Sequence, residues 1–494
     1  MVKDRVTSHL SLKWELDKVE SMLSGPNTFD GSCRSLRIVT YDHSDDHYGW
    51  MVLSKLIAKM KGLHAIQWIV DEDLNKQVLH AISQLPQLEK LEVVFQGVPS
   101  RRFDELLMSL PVSTLAKMKS ICIQFRTLGV SGWNHWPISR ARALISYLIS
   151  NAPAIEQLEI GPNILHRNNN VDLGPPDEPS PALDVVPLFA YLQRRANFQP
   201  SLQSFAPLAI KFPISRTTIG FFAKLTTLHL GNHLREHEFV WSTLHTSGIR
   251  LTTVVVQWIT APLIQYLQGY HGLRAFHLDI CSPLGRYVLD ADVLLLLTQA
   301  LPSHRQTLTD LRFRPSEDMK IDRLAGDHKP VTMLWDIPTV LGHLSSFNWV
   351  ERLDLVQYMV EMAIDQQIQS LVSNISAITS HQLTSLNSVN IHIVAVNRPI
   401  GPRHTPADPF QNFRQCLQYV KELKLEQQPS QHWRRLHIIL CIPEEMRTSR
   451  MPGIPFPLFR FAHRVVLKEQ DVYGLEEYLE ETELLNESGS VVQR

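Results

Sequence analysis

Two histidines and a glutamate stand at the spacing that metal-dependent hydrolysis uses. His233, Glu236 and His237 belong to one short segment that matches the pattern H-x-x-E-H. On a helix, residues four apart share one face, so the two imidazoles could bind zinc while the glutamate activates a water molecule. The sequence therefore contains one candidate metal site. The neighbouring secondary structure decides whether the three side chains can face one metal ion.

The surrounding sequence weighs against this zinc site. The chain has 22 histidines among 494 residues, so a match of this length arises easily by chance. No downstream helix offers a clear third carboxylate ligand, and Gly231 and Asn232 suggest a turn directly before the motif. A zinc-dependent hydrolase is therefore the alternative hypothesis, and we predict no cofactor. Residues 42–47, rich in aspartate and histidine, are interpreted as a solvated loop because they lack glycine turns.

A leucine pattern runs through almost the whole chain. Residues 225–230 read Leu-Thr-Thr-Leu-His-Leu, and degenerate copies recur at intervals of roughly 22 to 42 residues, as in stacked repeats. A weaker copy contains Leu202 and Phe205. Each full copy keeps one residue between its last two apolar ones, usually a polar one, whereas an ordinary buried parallel sheet would have continuous apolar runs. The pattern favours a repeat architecture with one strand in each copy.

Helical periodicity fills several stretches between these copies. Apolar stripes at helical spacing lie at residues 51–60, 78–85, 103–110, 144–149, 263–267 and 293–297. One strand-plus-helix unit cannot bury its apolar face alone, so neighbouring units must stack. We therefore predict an α/β leucine-rich-repeat solenoid (horseshoe) with a parallel inner sheet, outer helices and irregular repeats.

The chain divides into a repeat region and two predicted caps. Residues 1–30 predict an amino-terminal helical cap, with Leu10, Leu12 and Trp14 among its apolar positions. Residues 31–430 form the irregular solenoid, interrupted at about 165–183 by a loop insertion with four prolines. Residues 431–494 predict a carboxy-terminal cap, with a short strand at 464–468 and an acidic helix at 472–485.

The strands also predict which side chains a ligand would meet. In a leucine-rich strand the apolar residues face the core, and the residue between the last two faces the concave side. Of these twelve concave positions, two are Cys122 and Val255. The other ten are polar: Arg37, Gln67, Glu92, Glu159, His229, His277, Arg312, Asp354, Asn390 and Lys424. A ladder with both signs of charge suits a protein ligand, so these ten are the predicted binding residues.

Composition narrows the possible partners. The net charge of about −1 gives no long-range attraction to nucleic acid or to anionic lipid, so neither partner is expected. No apolar run approaches the roughly 20 residues that span a bilayer, and residues 1–20 lack the apolar stretch of a secretory signal. The five cysteines contain no C-x-x-C pair and are interpreted as core residues. We expect a cytoplasmic or nuclear protein.

The repeats resemble those of a known family. Their irregular length, strand starts such as Cys33/Leu36/Ile38, and the ending around Trp433 and Ile438 resemble the ribonuclease-inhibitor-like leucine-rich domains of divergent fungal F-box proteins. The resemblance covers roughly residues 30–440 and implies substrate recognition for a cullin-type ubiquitin ligase. Residues 1–30 contain no recognisable F-box, so the box was lost or lies outside this chain, and a free-standing protein-interaction scaffold is the broader expectation.

Overall fold

A computed structural model describes most of the predicted repeat elements. The described residues are 9–13, 33–39, 47–70, 74–95, 103–125, 138–162, 183–194, 199–207, 210–211, 214–230, 237–256, 259–280, 290–315, 342–344, 347, 349–360, 385–386, 388–396, 435–441, 463–468 and 475–479. The chain forms two compact units, Met1–Ile249 and Arg250–Arg494, here called unit 1 and unit 2.

Unit 1 is built around a parallel sheet. Its strands are β1 (His9–Lys13), β2 (Ser35–Val39), β3 (Ala65–Val70), β4 (Lys90–Phe95), β5 (Ser120–Phe125), β6 (Gln157–Pro162), β7 (Leu183–Asp184), β8 (Ser204–Pro207), β9 (Ile210–Lys211) and β10 (Thr227–His229). Strands β1 to β6, β8 and β10 pair in chain order, each parallel to the next. Strands β7 and β9 form a separate parallel pair. The weak copy at Leu202 and Phe205 is thus confirmed as a repeat strand.

Helices follow the strands of unit 1 along the chain. They are α1 (His47–Lys59), α2 (Lys76–Ser83), α3 (Phe103–Met108), α4 (Val112–Leu115), α5 (Ile138–Asn151), α6 (Val186–Gln193) and α7 (His237–Thr246), with a 3-10 turn at Ile219–Phe222. The start of α2 is set by Asn75, whose Oδ1 accepts hydrogen bonds from the backbone N–H groups of Gln77 (2.9 Å) and Val78 (3.3 Å). The apolar stripes predicted at 51–60, 78–85, 103–110 and 144–149 coincide with α1, α2, α3 and α5.

Unit 2 repeats this arrangement and then reverses strand direction. Its strands are β11 (Thr253–Val256), β12 (Ala275–Ile280), β13 (Asp310–Pro315), β14 (Arg352–Val360), β15 (Ser388–Val396), β16 (Arg435–Cys441), β17 (His463–Lys468) and β18 (Leu475–Leu479). Strands β11 to β16 are parallel, whereas β16, β17 and β18 pair antiparallel. Helix α8 (Ala261–Gln268) begins at the Thr260 cap, and α9 (Asp290–Leu295) continues into a π turn (Leu296–Ala300) and a 3-10 turn (Leu301–His304).

A repeated backbone contact joins each repeat to the next where the strands begin. The carbonyl of Arg34 accepts hydrogen bonds from His64 and Ala65 (2.9 and 3.1 Å), and the carbonyl of His64 accepts from Glu89 and Lys90 (both 2.9 Å). These strand-start carbonyls continue at Glu89, Lys119, Glu156 and Gln203 in unit 1 and at Thr252, Arg274 and Thr309 in unit 2. The same two-fold acceptance in every such repeat fixes one register, and the predicted α/β leucine-rich-repeat solenoid is confirmed.

Both predicted caps contain errors in their secondary structure. Residues 9–13 were expected in a helix but form β1, because Leu10 and Leu12 alternate with polar residues at the period of a strand. The acidic helix at 472–485 is also wrong at Leu475–Leu479, where β18 pairs with the free edge of β17. The strand predicted at 464–468 is confirmed as β17. The proline-rich insertion lies outside the described residues except for Leu183.

An aromatic cluster fills unit 1 where two repeats are far apart in sequence. The ring of Phe189 on α6 lies 4.7 Å from that of Phe221 and 5.5 Å from that of Phe222. Phe205 on β8 completes the cluster, with its ring 5.3 Å from Phe222. All four side chains are buried. Aromatic packing therefore ties β8 to its helix and 3-10 turn, although β6, its neighbour in the sheet, already ends at Pro162.

A buried ion pair joins two consecutive helices of unit 1. Asp104 on α3 is fully buried, and both of its carboxylate oxygens accept hydrogen bonds from Arg140 on α5, one of them from Nε at 2.7 Å. Arg140 also lies 3.1 Å from Glu105. The pair satisfies a carboxylate that would otherwise be buried without a counterion.

Removal of this counterion is expected to destabilise unit 1. We predict that Arg140→Ala lowers the free energy of unfolding by about 2 to 3 kcal/mol, since Asp104 would be left as an unpaired buried charge. The matched control is Arg142→Ala on the same helix, where the side chain is exposed and a loss below about 0.5 kcal/mol is expected. Urea unfolding of the two variants measures the difference. Equal losses would show that the ion pair contributes nothing.

Buried polar side chains hold the strand-start segments of unit 2. The hydroxyl of Tyr266 accepts a hydrogen bond from the backbone N–H of Leu251 (3.0 Å), and the hydroxyl of Tyr270 donates to the carbonyl of the same residue (2.9 Å). His304 acts similarly one repeat later: its Nδ1 accepts from the N–H of Leu273 (3.2 Å), and its Nε2 donates to the carbonyl of Leu267 (3.0 Å). The imidazole is therefore neutral, because one ring nitrogen accepts a hydrogen bond while the other donates one.

The pH dependence of stability should reflect His304. Burial lowers its pKa to about 4, from an ordinary value near 6.5 that the unfolded chain would have. Protons therefore bind the unfolded state first, so the contribution of His304 is complete above about pH 6.5 and is lost as the pH falls towards 4. We expect roughly 2 kcal/mol of this loss between pH 7 and pH 5.

Comparison with a variant isolates this contribution. His304→Gln should remove that part of the pH dependence from urea-unfolding free energies. His271→Gln, at an exposed position of the same unit, should retain most of it, since the charge of His271 is the smallest of the contributions to the pKa shift. An unchanged slope in His304→Gln would contradict the assignment.

Candidate functional site

The predicted ladder of unit 1 lies in register across its strands. We call the sheet surface formed by the residues that alternate with the buried ones the open face. Neighbouring strands align Arg37, Gln67, Glu92, Cys122 and Glu159 as successive partners. Glu159 then pairs with Ala206 on β8, and the pairing of Leu228 with Phe205 places His229 beside Ala206. The predicted ladder did not include Ala206. The weak leucine copy on β8 is the only sequence signal that could have identified it.

The ladder of unit 2 is also in register, with one substitution. Successive partners are Val255, His277, Arg312, Asp354, Asn390 and His437. Strand β16 pairs directly with β15, so His437 occupies the position beside Asn390. Lys424, which was expected there, lies outside the described residues. From the sequence alone, residue 437 is assigned to the cap, because the last leucine copy follows the previous one too closely for a complete repeat.

Glutamine amides hold the two carboxylates of the unit 1 ladder. Nε2 of Gln67 donates to Oε1 of Glu92, and Nε2 of Gln124 donates to Oε1 of Glu159, both at 2.7 Å. Each bond joins neighbouring strands. Because a glutamate fixed at one oxygen loses less conformational freedom on binding, these two carboxylates are pre-organised to accept a second hydrogen bond.

A buried thiol separates these two carboxylates. Cys122 on β5 stands between Glu92 on β4 and Glu159 on β6 and is 8% exposed. Burial raises the pKa of this thiol, and the negative charges of Glu159 and Glu92 raise it further. Cys122 thus remains a neutral thiol, in agreement with its interpretation as a core residue. Cys33 is buried as well.

The open face of unit 1 is not polar along the whole strand length. Ile69 and Val94, two residues beyond the ladder positions of β3 and β4, are buried although they alternate with the core residues. Polar ladder positions therefore form a band near the start of the strands. A ligand of unit 1 would meet that band.

Charged side chains of unit 2 form a network across β12 and β13. Asp310 accepts hydrogen bonds from Arg312 at both oxygens, one of them from Nε at 2.6 Å. Nε2 of His277 lies 3.3 Å from Oδ2 of the same aspartate. Burial alone would raise the pKa of Asp310, but its contacts with His277 and Arg312 outweigh burial and lower the pKa to about 2. The aspartate is therefore ionised and orients Arg312.

The next strand carries the opposite order of charges. On β14, Arg352 is the register partner of Asp310, and Asp354 is the partner of Arg312. Nε of Arg352 lies 3.5 Å from Oδ1 of Asp354. The Asp354 side chain is only 1% exposed, whereas that of Arg352 is 41% exposed. The prediction that Asp354 offers its carboxylate to a ligand is therefore wrong, because this side chain is buried beside Arg352.

The alternative zinc site falls largely outside the described residues. His233 and Glu236 lie in that undescribed part, and His237 is the first residue of α7. Residues 42–46 are likewise undescribed. Within the described ranges, no group of three or more His, Cys, Asp or Glu side chains is arranged to hold a metal ion. In the same ranges, no helix has the length and apolarity to cross a membrane.

Comparisons with known proteins give low similarity. The chain matches no family model and no curated protein. Among solved structures it is similar to the crystal structure of the Rad7 and Elc1 complex in yeast, at 12% identity and a TM-score of 0.39, over 78% of this chain and 76% of that chain. It is also similar to the TLR13–ssRNA13 complex, at 13% identity and a TM-score of 0.23, over 83% of this chain and 47% of that chain. Values this low do not establish a shared function.

The thiol of Cys122 should react very slowly in the folded protein. Because the thiolate is the reactive form and burial with two neighbouring carboxylates disfavours it, we predict alkylation at least about 100-fold slower than in the urea-unfolded chain. Peptide-resolved mass spectrometry measures both rates. Glu159→Gln removes one neighbouring charge and should accelerate the reaction, whereas Glu156→Gln, at the strand start, should not. Alkylation at the unfolded rate would contradict the burial of Cys122.

Proposed function

We propose that this chain is a non-enzymatic scaffold that binds a protein ligand on its open faces. The observation that supports this most directly is the register of the ladder, which places one side chain of each repeat in a row. Parallel strands stand about 4.8 Å apart, so such a row offers many evenly spaced contacts but no enclosed site for a small substrate.

The chemistry of unit 1 suits a polar protein surface. Glu92 and Glu159 are held by glutamine amides, while Arg37 at the first ladder position is exposed and of opposite charge. Cys122 lies between the two glutamates and Ala206 lies beyond Glu159, and both side chains are uncharged and buried. Mixed charge over a broad face provides specificity for a matching protein more than for a uniform polyanion or a lipid surface.

The resemblance to fungal F-box proteins supports a more specific proposal. In that family the repeats hold a substrate while the F-box docks the adaptor of a cullin-type ubiquitin ligase. We therefore propose that the chain recognises a substrate for ubiquitination, in the cytoplasm or nucleus, and that the bound protein ligand is this substrate. Nucleic acid and membrane are not part of this proposal because the net charge of about −1 favours neither.

Affinity capture with a matched pair of variants tests this role. Glu159→Lys reverses a charge on the open face, whereas Glu156→Lys makes the same change at the start of the same strand. We expect proteins captured by the wild type and by Glu156→Lys to be reduced at least about tenfold with Glu159→Lys, since a buried like-charge contact costs more than 1.4 kcal/mol. Quantitative mass spectrometry measures the ratio.

The same capture separates the general from the specific proposal. A set of partners that is unaffected by Glu159→Lys would argue against the open face of unit 1 as the binding surface. If capture of the partners depends on Glu159 but no ubiquitin-ligase adaptor is among them, the scaffold proposal stands and the ligase role is excluded.

A further inference from the structure

Three exposed arginines of unit 2 stand on the segments that lead into successive strands. Arg250 precedes β11, Arg274 precedes β12, and Arg305 precedes β13. We call these three residues the arginine edge. None of their side chains forms a hydrogen bond or an ion pair with another described residue. The three guanidinium groups are therefore exposed to solvent and available to a ligand.

Backbone contacts place the three segments side by side. The N–H of Arg274 donates to the carbonyl of Thr252 (2.8 Å), and the carbonyl of Arg274 accepts from the N–H of Thr309 (2.9 Å). Arg250 lies two residues before Thr252, and Arg305 lies four residues before Thr309. Since adjacent parallel strands are about 4.8 Å apart, the three segments span about 10 Å. One short peptide can therefore contact all three arginines.

Buried hydrogen bonds hold the backbone beside each arginine. Arg250 directly precedes Leu251, whose N–H and carbonyl are both bound by buried tyrosine hydroxyls. Arg274 directly follows Leu273, whose N–H donates to the buried His304. The third arginine of the edge directly follows His304. The side chains of the edge thus extend into solvent from a backbone that the core fixes.

Described carboxylates do not balance the charge of this side of unit 2. Between residues 250 and 309, the described side chains include three arginines and no aspartate or glutamate. The backbone of Asp279 lies near the end of β12, and those of the two aspartates of α9 lie in its first turn, at the opposite side of the repeats from the strand starts. Asp310 already binds Arg312, and Glu351 is exposed on the following repeat. The arginine edge therefore carries an excess of positive charge.

We propose that the arginine edge binds an acidic segment of a partner protein. The proposal adds a second surface, beside the open faces, to the proposed scaffold function and rests on that function. Guanidinium groups bind carboxylates through paired N–H donors, which provide orientation as well as attraction. Because the backbone at the edge is already fixed, less conformational freedom is lost when the segment binds.

A protein segment fits this edge better than single-stranded nucleic acid does. Proteins hold unpaired nucleic acid in a basic groove with several aromatic side chains on which successive bases stack. Trp349, in the turn before β14, is the only exposed tryptophan, tyrosine or phenylalanine among the described side chains of unit 2. Tryptophan and arginine are enriched in protein interfaces. The exposed carboxylate of Glu351, close to Trp349 in the chain, also opposes a uniform polyanion.

Binding of an acidic peptide to the whole chain tests the proposal. A fluorescein-labelled octaglutamate peptide is titrated at low ionic strength and followed by fluorescence anisotropy. We expect the double variant Arg274→Gln/Arg305→Gln to bind at least about fivefold more weakly than the wild type, because each exposed ion pair contributes about two- to fivefold. The matched control is Arg142→Gln/Arg194→Gln, which removes the same two charges from exposed positions of unit 1. Its effect should stay below about twofold, since it changes the net charge alone.

Several results would overturn the proposal. Undetectable binding of octaglutamate contradicts an acidic-segment site, and so does equal binding by the wild type and the double variant of the edge. Equal weakening by the control variant would show that only the net charge matters. If octauridylate or inorganic phosphate binds more tightly and depends on the same arginines, the edge belongs to a different ligand class. All four substituted side chains are exposed, and circular dichroism checks that each variant is folded.

Failure of this test is distinguishable from failure of the scaffold function. If octaglutamate binding fails while capture of partners still depends on Glu159 in unit 1, the scaffold proposal stands and only the acidic-segment site is removed. If partner capture does not depend on Glu159 but octaglutamate binding depends on Arg274 and Arg305, the acidic-segment site stands and the unit 1 surface is removed.

Discussion

The strand-start carbonyl is the contact on which every other feature of this chain depends. In each repeat that shows it, one carbonyl accepts two consecutive N–H groups of the next repeat, as Glu156 does from Gln203 and Ser204. Each hydrogen bond contributes only about 1 kcal/mol, but the contact recurs along both units and sets the register of parallel strands. A slip of one residue would exchange the core and open faces. The composition of the open face therefore follows from this backbone contact.

The leucine copies predicted most of the sheet because their apolar spacing directly reflects that register. Strand β8 was only weakly predicted, since Pro207 stands where the full copies carry their last apolar residue, and the aromatic cluster around Phe205 supplies packing there. Strand β1 was missed because Leu10 and Leu12 fit a helix or a strand over so few residues. Pairing with β2 decides between the two, and such a contact is not visible in a local pattern.

Most ladder positions could be predicted from the sequence, with Ala206 and His437 as exceptions, but their chemistry could not. Alternation places Gln67 and Glu92 on one face, yet the 2.7 Å hydrogen bond between them depends on which strands are neighbours. The burial of Asp354 likewise does not follow from the alternation, which places this side chain on the open face. Asp310 was overlooked because only the residue between the last two apolar positions of each copy, here Arg312, was assigned to the ladder. Its position two residues before Arg312 on one strand nevertheless signals a same-face pair.

The reversal of strand direction in unit 2 bears on end-to-end association of the repeat sheet. A parallel repeat sheet exposes an edge on which another chain could add strand after strand, the hazard that leads to fibres. Here β17 runs antiparallel to β16, and β18 runs antiparallel to β17, so the parallel pairing of the repeats is interrupted before the outer strand of the described order. A second solenoid that added to β18 would therefore not continue the register that the repeats share.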